Sequence, residues 1–394
     1  MLRILPITRR LTRSSSPWSA LSSTPNLLSS TPTFTVTATH DKRHYACQIQ
    51  HPTKLGQLRA KLRTFGQGHI ELDLNHSPGL ALLTLSNPGK HNALTGKMMA
   101  ELADCVDFLE DATTTSGTTA VSVSSMAQGD TVMDNNQQSL QLHPESALVL
   151  KSAGKTIHKL DQEHVQALQN LVGIIVTGAQ HKSYCAGLDL SAAKTTLLTP
   201  QAGSEMAALM VSTLTRFMRL PILTIAAVEK AAIGGGAEMT TFCDHRCLTE
   251  QAKVQFVQTQ MGVVTGWGGA SRLLNIVSRS QALRLLASAE PIQGGHDAVQ
   301  SGFAQVVAPV GEAVEHAEEY MQQYVWERPP VDGDHSKSAR RCVDAVRAMK
   351  RIVSFGLDHD RIERVSELEK DLFKQLWGGP DNLARVEAAT SKKK

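Results

Sequence analysis

The stretch Thr224-Ile-Ala-Ala-Val228, followed closely by Gly234-Gly-Gly-Ala-Glu238, decides both the fold and the site of this chain. Its apolar and β-branched residues predict a buried strand. The three glycines allow the backbone to turn sharply and leave N–H groups free to face a ligand. A helix is expected to begin there, with Glu238 in its first turn. A carboxylate at that position either complements the helix dipole or faces the ligand.

A second element of the same kind lies earlier in the chain. Val172-Gly-Ile-Ile-Val-Thr177 predicts a strand, which leads to Ser183-Tyr-Cys-Ala-Gly-Leu-Asp189. Two glycine-bearing strand exits, each followed by a helix N-terminus, would together stabilise a developing negative oxygen. Neither element has the GxGxxG spacing of dinucleotide-binding folds or the Walker A spacing of phosphate-binding loops. The sequence therefore predicts an oxyanion site rather than a nucleotide-phosphate site.

Strands and helices alternate around these two elements. Ala81–Leu85 and Val254–Val257 are predicted as further strands, and Asn87-Pro88-Gly89 is a turn signal. Helices are expected after the cap Thr95, and at Ala153–Asn170, Met206–Met218, Arg272–Ala287, Ala313–Tyr324, Ser338–Ile352 and Ile362–Leu376. The alternation predicts an α/β domain in which strands pack under helices. The helical C-terminal quarter is expected to close the site or to bind another subunit.

Three regions follow from the composition along the chain. Residues 1–40 carry four arginines, many hydroxyl side chains and no acid, which indicates an organelle-targeting presequence or a disordered N-terminus. Residues 70–290 are predicted to form the core. A Thr/Ser-rich and then Gln/Asn-rich insertion at about 112–165 buries too little apolar surface to order itself. Residues 291–394 are predicted as a helical lid or oligomerisation region.

Bulk composition narrows the function classes. The 394 residues are 41% hydrophobic, with a net charge of +3, so neither nucleic acid nor a membrane is an expected partner. No apolar run approaches the roughly 18 residues of a membrane span. The six scattered cysteines suit a reducing compartment. Cys243 and Cys247 flank His245, but their spacing does not match a zinc site, and no metal is expected.

Four ordered motifs resemble the enoyl-CoA hydratase/isomerase (crotonase) superfamily. They are Asn87-Pro88 with Asn92-Ala-Leu94, Cys185-Ala-Gly-Leu-Asp189, Gly234-Gly-Gly-Ala-Glu238, and Gly262 with Gly268-Gly269 and Arg272-Leu273. The resemblance covers residues 79–110 and 171–394. It implies a crotonase-like ββα spiral core with a helical C-terminal region. It also implies an acyl-CoA substrate and a homotrimer or a dimer of trimers.

The resemblance also assigns roles to single residues. The N–H groups of Leu188 and Gly235 would hold the thioester oxygen, and Ala186 would lie against the adenine of coenzyme A. Gly187 and Gly234 are expected in the same coenzyme-binding part of the site. Trp267 is predicted as a wall of the substrate pocket, although simple core filling explains it as well.

The two glutamates of crotonase-type hydratases fall on Glu238 and Gln258. A neutral amide cannot serve as the general base that activates water, which disfavours hydration. Longer phrases at 214–221, 234–241, 261–269 and 376–383 resemble a branch of the superfamily that decarboxylates malonyl-type thioesters. This implies a clean-up decarboxylase for ethylmalonyl-CoA and methylmalonyl-CoA, in which no cofactor is needed because the thioester accepts the electrons. Glu238 would either protonate the enolate carbon or orient the substrate carboxylate.

Two other functions and two compartments stay open. The same scaffold supports an enoyl-CoA hydratase or isomerase, and a non-catalytic acyl-CoA- or RNA-binding protein is the alternative from another class. Against RNA binding, the sequence shows no strong basic stripe with interleaved aromatic residues. The family resemblance favours the cytosol, whereas the acid-free residues 1–40 favour mitochondria.

Overall fold

The structure is a computed structural model. It describes residues 52–114, 148–157, 160–181, 183–194, 197–328, 338–356, 370–371, 373–374 and 376–391. The predicted N-terminal region 1–40, and residues 115–147 of the predicted insertion, lie outside these ranges. The described residues fall in one unit that spans Ala46–Lys394. The core and the C-terminal quarter therefore belong to the same compact unit.

Two sheets make up the strand framework. The strands are β1 (His69–Ser77), β2 (Leu80–Ser86), β3 (Val149–Ser152), β4 (Lys155–Thr156), β5 (Gly173–Gly178), β6 (Leu223–Val228), β7 (Ala231–Ile233), β8 (His245–Thr249), β9 (Lys253–Gln255), β10 (Ile292–Gln293) and β11 (Val306–Ala308). The larger sheet has the order β11-β8-β6-β5-β2-β1-β3-β4, and the smaller one β10-β9-β7. β2, β5, β6, β8 and β11 run parallel, so their carboxyl ends share one edge of the sheet.

Helices cover both faces of the larger sheet. They are α1 (Pro52–Arg63), α2 (Gly96–Thr114), α3 (Gln162–Gln169), α4 (Leu190–Ala193), α5 (Pro200–Arg219), α6 (Gly235–Thr240), α7 (Gly269–Leu273), α8 (Arg279–Ala287), α9 (Gly294–Gln300), α10 (Ala313–Val325), α11 (Val343–Gly356) and α12 (Pro380–Ser391). One face of β5 and β6, including Ile175 and Ile225, packs with α10. The other face, including Ile174 and Ala226, joins the larger core with α2 and α5.

The elements predicted around the glycine motifs are confirmed. The four predicted strands appear as β2, β5, β6 and β9, each within one or two residues of the expected bounds. Thr95 Oγ1 accepts a hydrogen bond from the Met98 N–H at 3.3 Å, so it caps α2 as predicted. Helix α5 begins six residues earlier than expected because Thr199 caps it and Pro200 occupies its first turn.

The structure differs from the sequence expectation in three places. The predicted helix Arg272–Ala287 is two helices, because Ser278 starts a new N-cap for α8 by accepting a hydrogen bond from the Gln281 N–H. The predicted helix Ala153–Asn170 is confirmed only in its second half, as α3 at Gln162–Gln169, whereas its first four residues belong to the β3–β4 hairpin, which turns at Ala153 and Gly154 with positive φ. β3 pairs with β1, so this end of the predicted insertion belongs to the main sheet.

The C-terminal quarter is less purely helical than predicted. β10 and β11 lie within it, and β11 extends the main sheet by pairing with β8. Short strands of this kind give too few residues for a period-two pattern, which is why the sequence did not indicate them. The predicted helix Ser338–Ile352 starts later, at Val343, and residues 362–369 of the last predicted helix lie outside the described ranges.

Candidate active site

The two glycine elements converge because one of them pairs with β7. The Cys185 N–H donates to the Ala231 carbonyl at 3.1 Å, and the Ile233 N–H donates to the Cys185 carbonyl at 2.9 Å. β7 leads directly into Gly234 and α6, so the segment at Cys185 lies beside the start of that helix. The predicted convergence of the two strand exits is therefore present in the structure.

The loop at Leu188 presents a free N–H to the site. The Leu94 N–H donates to the Gly187 carbonyl at 2.7 Å, and the Asp189 N–H donates to the Leu94 carbonyl at 2.9 Å. In a parallel bridge of this kind, the residue between the two bonded neighbours points its own N–H the other way. Among the described residues the Leu188 N–H has no acceptor.

The second free N–H belongs to Gly235, the first residue of α6. A first-turn N–H has no acceptor within its own helix, and none of the described residues supplies one. Gly234, the residue before it, has φ 56° and ψ −117°, which a residue with a side chain rarely adopts. Gly236 allows the close approach of the two elements, since an added Cβ would lie 2.0 Å from the Cys185 carbonyl oxygen.

A cavity of about 280 Å³ lies between these loops. All eight residues predicted from the sequence to form the site line it: Ala186, Gly187, Leu188, Gly234, Gly235, Glu238, Gln258 and Trp267. Most of the other lining side chains are apolar. Of the described residues that line the cavity, Glu238 is the one with an ionisable side chain.

The sequence predicted that the C-terminal quarter closes the site or binds another subunit, but it did not identify the residues of that quarter that line this cavity. Phe373, Trp377, Asn382 and Val386 line it, although they follow the Gly234 loop by more than 130 residues. Phe373 and Trp377 stack with ring centroids 5.0 Å apart, and the Trp377 indole N–H donates to the Leu197 carbonyl. The phrase at 376–383 contains two of these residues, Trp377 and Asn382, and on its own indicates only a family resemblance.

Glu238 is buried, with 2% of its surface exposed, and its carboxylate accepts four hydrogen bonds. Oε1 accepts from Gln258 Nε2 at 2.8 Å and from the Gly266 N–H at 3.3 Å. Oε2 accepts from the N–H groups of Trp267 at 2.8 Å and Gly269 at 3.0 Å. Burial raises the pKa of Glu238, and the hydrogen bonds offset only part of that rise. The protonated acid is therefore accessible closer to neutral pH than in an exposed glutamate.

Gln258 lies in direct contact with Glu238, as a residue at the second-acid position should. It precedes the 3-10 turn Thr259–Met261 and is 8% exposed. Its amide donates to Glu238, whereas its own carbonyl oxygen Oε1 is buried and has no hydrogen-bond partner among the described residues. The pair can hold one acidic proton, but it cannot supply the two carboxylates that water addition requires.

Trp267 combines both roles that the sequence left open. It is 3% exposed and belongs to the core, and it also lines the cavity. An added Cβ on Gly235 would lie 2.3 Å from the Trp267 ring, so the indole packs directly on the residue that carries the free N–H. The Trp267 main chain in turn bonds to Glu238. One residue thus contacts both Gly235, which carries the free N–H, and the carboxylate of Glu238.

The Cys243–Cys247 segment packs against helix α10 through the side chain of His245. His245 stacks with Tyr324 at 5.5 Å between ring centroids, and its Nε2 lies 3.0 Å from the Tyr324 hydroxyl. Across the described ranges, no group of three or more His, Cys, Asp or Glu side chains could hold a metal ion. A search of the same ranges found no helix with the length and apolarity needed to span a membrane.

The family model for enoyl-CoA hydratase/isomerase matches residues 153–378. An ethylmalonyl-CoA decarboxylase of Rattus norvegicus is 33% identical over 333 residues, which are 84% of this chain and 86% of that protein. The ethylmalonyl-CoA decarboxylase of Homo sapiens is 31% identical and covers 84% of each chain. An enoyl-CoA hydratase/isomerase structure from Xanthobacter autotrophicus Py2 has a TM-score of 0.58 at 19% identity, covering 83% of this chain and 94% of that one.

These similarities confirm two predictions made from the sequence. The solved enoyl-CoA hydratase/isomerase structure shares the fold, which confirms the crotonase-like α/β core with C-terminal helices. The decarboxylase relatives confirm the likeness to that branch over most of the chain. The chain belongs to the enoyl-CoA hydratase/isomerase (crotonase) family.

Proposed function

We propose that the protein is an acyl-CoA decarboxylase that acts on ethylmalonyl-CoA and on methylmalonyl-CoA, as a metabolite clean-up enzyme. One observation carries the proposal: the buried acid Glu238 is paired with the amide of Gln258 instead of a second carboxylate. This pair disfavours water addition and keeps a single proton donor. The similarity to ethylmalonyl-CoA decarboxylases supports the choice of substrate.

The reaction begins with the thioester oxygen between the free N–H groups of Leu188 and Gly235. The bond between Cα and the carboxylate breaks, CO2 leaves, and the electron pair moves into the thioester carbonyl to give an enolate. The two N–H groups stabilise the enolate oxygen, and such a donor typically contributes about 2.7–4 kcal/mol. Glu238 then gives its proton to Cα. The balance is one carboxylated thioester and one proton in, and CO2 and a saturated acyl-CoA out.

The cavity wall favours loss of the carboxylate. No lysine, arginine or histidine occurs among the described residues that line the cavity, so a bound carboxylate gains no ion pair there. Trp267, Phe373 and Trp377 give the cavity an aromatic wall, which should reduce the solvation of the bound anion. The charge spreads onto the thioester as CO2 departs, where the N–H donors stabilise it. No metal, biotin or nicotinamide is required, because the thioester accepts the electrons.

We propose that Ala186, Gly187 and Gly234 form the part of the site that holds coenzyme A. They line the cavity and belong to the two loops that carry the free N–H groups. Gly187 has φ +88°, and an added Cβ there would lie 2.7 Å from the Ile233 carbonyl oxygen and 3.2 Å from the Gly235 nitrogen. A side chain at this position would therefore disturb both the loop and the oxyanion donor.

We also propose that the protein assembles as a trimer or a dimer of trimers. On α11 the charged residues Arg347 and Lys350 are buried, whereas Met349, Ile352 and Val353 are 63–67% exposed. This reversed pattern suits a helix that contacts another subunit. Light scattering should give three or six times the chain mass, and Ile352→Asp should lower it. A monomeric wild type at micromolar concentration would remove the proposal.

Incubation of the purified protein with two substrates tests the function. Ethylmalonyl-CoA should yield CO2 and butyryl-CoA, while crotonyl-CoA should gain water at a far lower rate or not at all. Fast hydration of crotonyl-CoA without CO2 release would instead establish a hydratase. Tight acyl-CoA binding without turnover of either substrate, together with a salt-sensitive RNA complex, would favour a binding protein.

A further inference from the structure

The amide of Gln258 contacts the acid Glu238, and both residues line the cavity. Its Nε2 donates to Glu238 Oε1 at 2.8 Å, and its Oε1 is buried without a partner among the described residues. The side chain also lines the cavity that holds the free N–H groups of Leu188 and Gly235. An unpartnered, buried amide oxygen at a substrate cavity requires an explanation in terms of ligand or protonation state.

The hydrogen bonds around Glu238 suit its ionised form in this arrangement. Each carboxylate oxygen accepts two hydrogen bonds, so the group is fully occupied as an anion. A protonated Glu238 must instead donate one hydrogen bond. Gly266, Trp267 and Gly269 contribute main-chain N–H groups, which can only donate. Among these four partners, Gln258 alone can become an acceptor, by exchanging the positions of its oxygen and nitrogen.

We infer that the Gln258 amide turns over when Glu238 is protonated and then presents its NH2 group to the free carboxylate of the substrate. This inference rests on the proposed decarboxylase function and deepens it, because it names the group that distinguishes carboxylated from plain acyl-CoA thioesters. When Glu238 is ionised, the buried position beside the cavity is held by the unpartnered carbonyl oxygen of Gln258, which repels an anion. When Glu238 carries its proton, the turned amide places its NH2 group at that position.

No cationic side chain lines the cavity among the described residues, so no ion pair replaces Gln258 in this task. Residues 256–268 contain no charged side chain, and Glu238 is the one charged residue of α6. On the neighbouring α7, the guanidinium of Arg272 lies 3.6 Å from the Phe242 ring centroid and donates to the Gly268 carbonyl and Thr215. Arg272 is thus held by these contacts and is not among the residues that line the cavity.

Two consequences follow for the reaction. Binding of a carboxylated ligand should take up a proton at Glu238, since the anion favours the turned amide. After Glu238 has transferred its proton to Cα, the amide should turn back and restore the arrangement seen here. Glu238 is then protonated only when a carboxylate occupies the cavity. A plain acyl-CoA product therefore leaves Glu238 ionised.

The test compares two ligands that cannot react. These are butyryl-CoA and 2-sulfobutyryl-CoA, in which a sulfonate that cannot leave as CO2 replaces the carboxylate. Gln258→Leu should weaken sulfonate binding about 10–100-fold, the range for a lost hydrogen bond to a charged group, and leave butyryl-CoA within about twofold. Gln260→Leu, an exposed glutamine in the same turn, is the matched control and should change neither. Calorimetry in buffers of different ionisation enthalpy should show proton uptake with the sulfonate for wild type and none for Gln258→Leu.

The outcomes separate this inference from the proposed function. If Gln258→Leu binds neither ligand, the isosteric variant Gln258→Glu tests the inference instead. We expect Gln258→Glu to lose binding of the sulfonate and to keep binding of butyryl-CoA. If a Gln258 variant still binds butyryl-CoA and also keeps the wild-type affinity for the sulfonate and the wild-type proton uptake, the proposed role of Gln258 is wrong. CO2 release by the wild type on ethylmalonyl-CoA is measured separately. Its absence refutes the decarboxylase function whatever the binding ratios are.

Discussion

Replacement of Glu238 by glutamine removes the proposed acid while keeping its shape. The new amide oxygen can still accept from the Trp267 and Gly269 N–H groups, which lie 2.8 and 3.0 Å from Oε2. The new NH2 group can donate to Gln258 once that amide turns its oxygen towards it, so that the bond lost is the longest one, at 3.3 Å from the Gly266 N–H. The stability change should therefore stay within about 1.5 kcal/mol, the net value of one hydrogen bond.

The effect on turnover should be far larger than the effect on folding. Loss of a positioned general acid typically costs about 10²–10⁴ in rate, or about 2.7–5.4 kcal/mol of barrier. The measurement is kcat for CO2 release from ethylmalonyl-CoA, together with the affinity for butyryl-CoA, which should change by less than about threefold. Glu250→Gln makes the same chemical change at an exposed turn and should leave both values unaltered. Full turnover by Glu238→Gln would refute both proposed roles of this residue, as acid and as orienting group.

Four further predictions address the site, the fold and the N-terminus. The reaction needs protonated Glu238, and burial raises the pKa of that residue. The kcat should therefore be highest at low pH and fall as the pH rises through the raised pKa. A pH profile that rises instead contradicts the acid role. Gly235→Ala places a Cβ 2.3 Å from the Trp267 ring and should lower kcat about 100-fold by moving the oxyanion donor, which steady-state kinetics would show. Lys350→Met leaves Asp244 without its ion-pair partner and should cost about 3 kcal/mol in chemical denaturation at unchanged activity per folded molecule. Residues 1–40 fused to a fluorescent protein should leave it in the cytosol; mitochondrial import would show that the acid-free N-terminus is a presequence.

Much of the site could be predicted because its loops carry local signals. The glycines that follow strands at Cys185–Asp189 and Gly234–Glu238 predict free N–H groups from local sequence alone, independently of contacts with the rest of the chain. The pairing of Gln258 with Glu238 followed from ungapped counting within the family resemblance, and the structure places the two side chains in hydrogen-bond contact. Local spacing is informative here because both residues follow a strand by a few positions.

Other features depend on contacts between distant parts of the chain. Phe373 and Trp377 pack on Gly266 and Gly203, and no periodicity in either segment indicates that meeting. The β3–β4 hairpin follows a low-complexity stretch, and its polar residues gave no strand pattern, although β3 pairs with β1 in the main sheet. The unpartnered oxygen of Gln258 is also invisible in the sequence, because it depends on which amide atom faces Glu238.

The central claim is that this site forms an enolate by decarboxylation and protonates it once. Turnover of ethylmalonyl-CoA in D2O, followed by mass spectrometry of the acyl-CoA product and by CO2 release, tests it most directly. We expect one CO2 for each butyryl-CoA formed and a single deuterium at C2 of that product. Recovery of unreacted ethylmalonyl-CoA, with crotonyl-CoA converted to its hydrated product under the same conditions, would contradict the account.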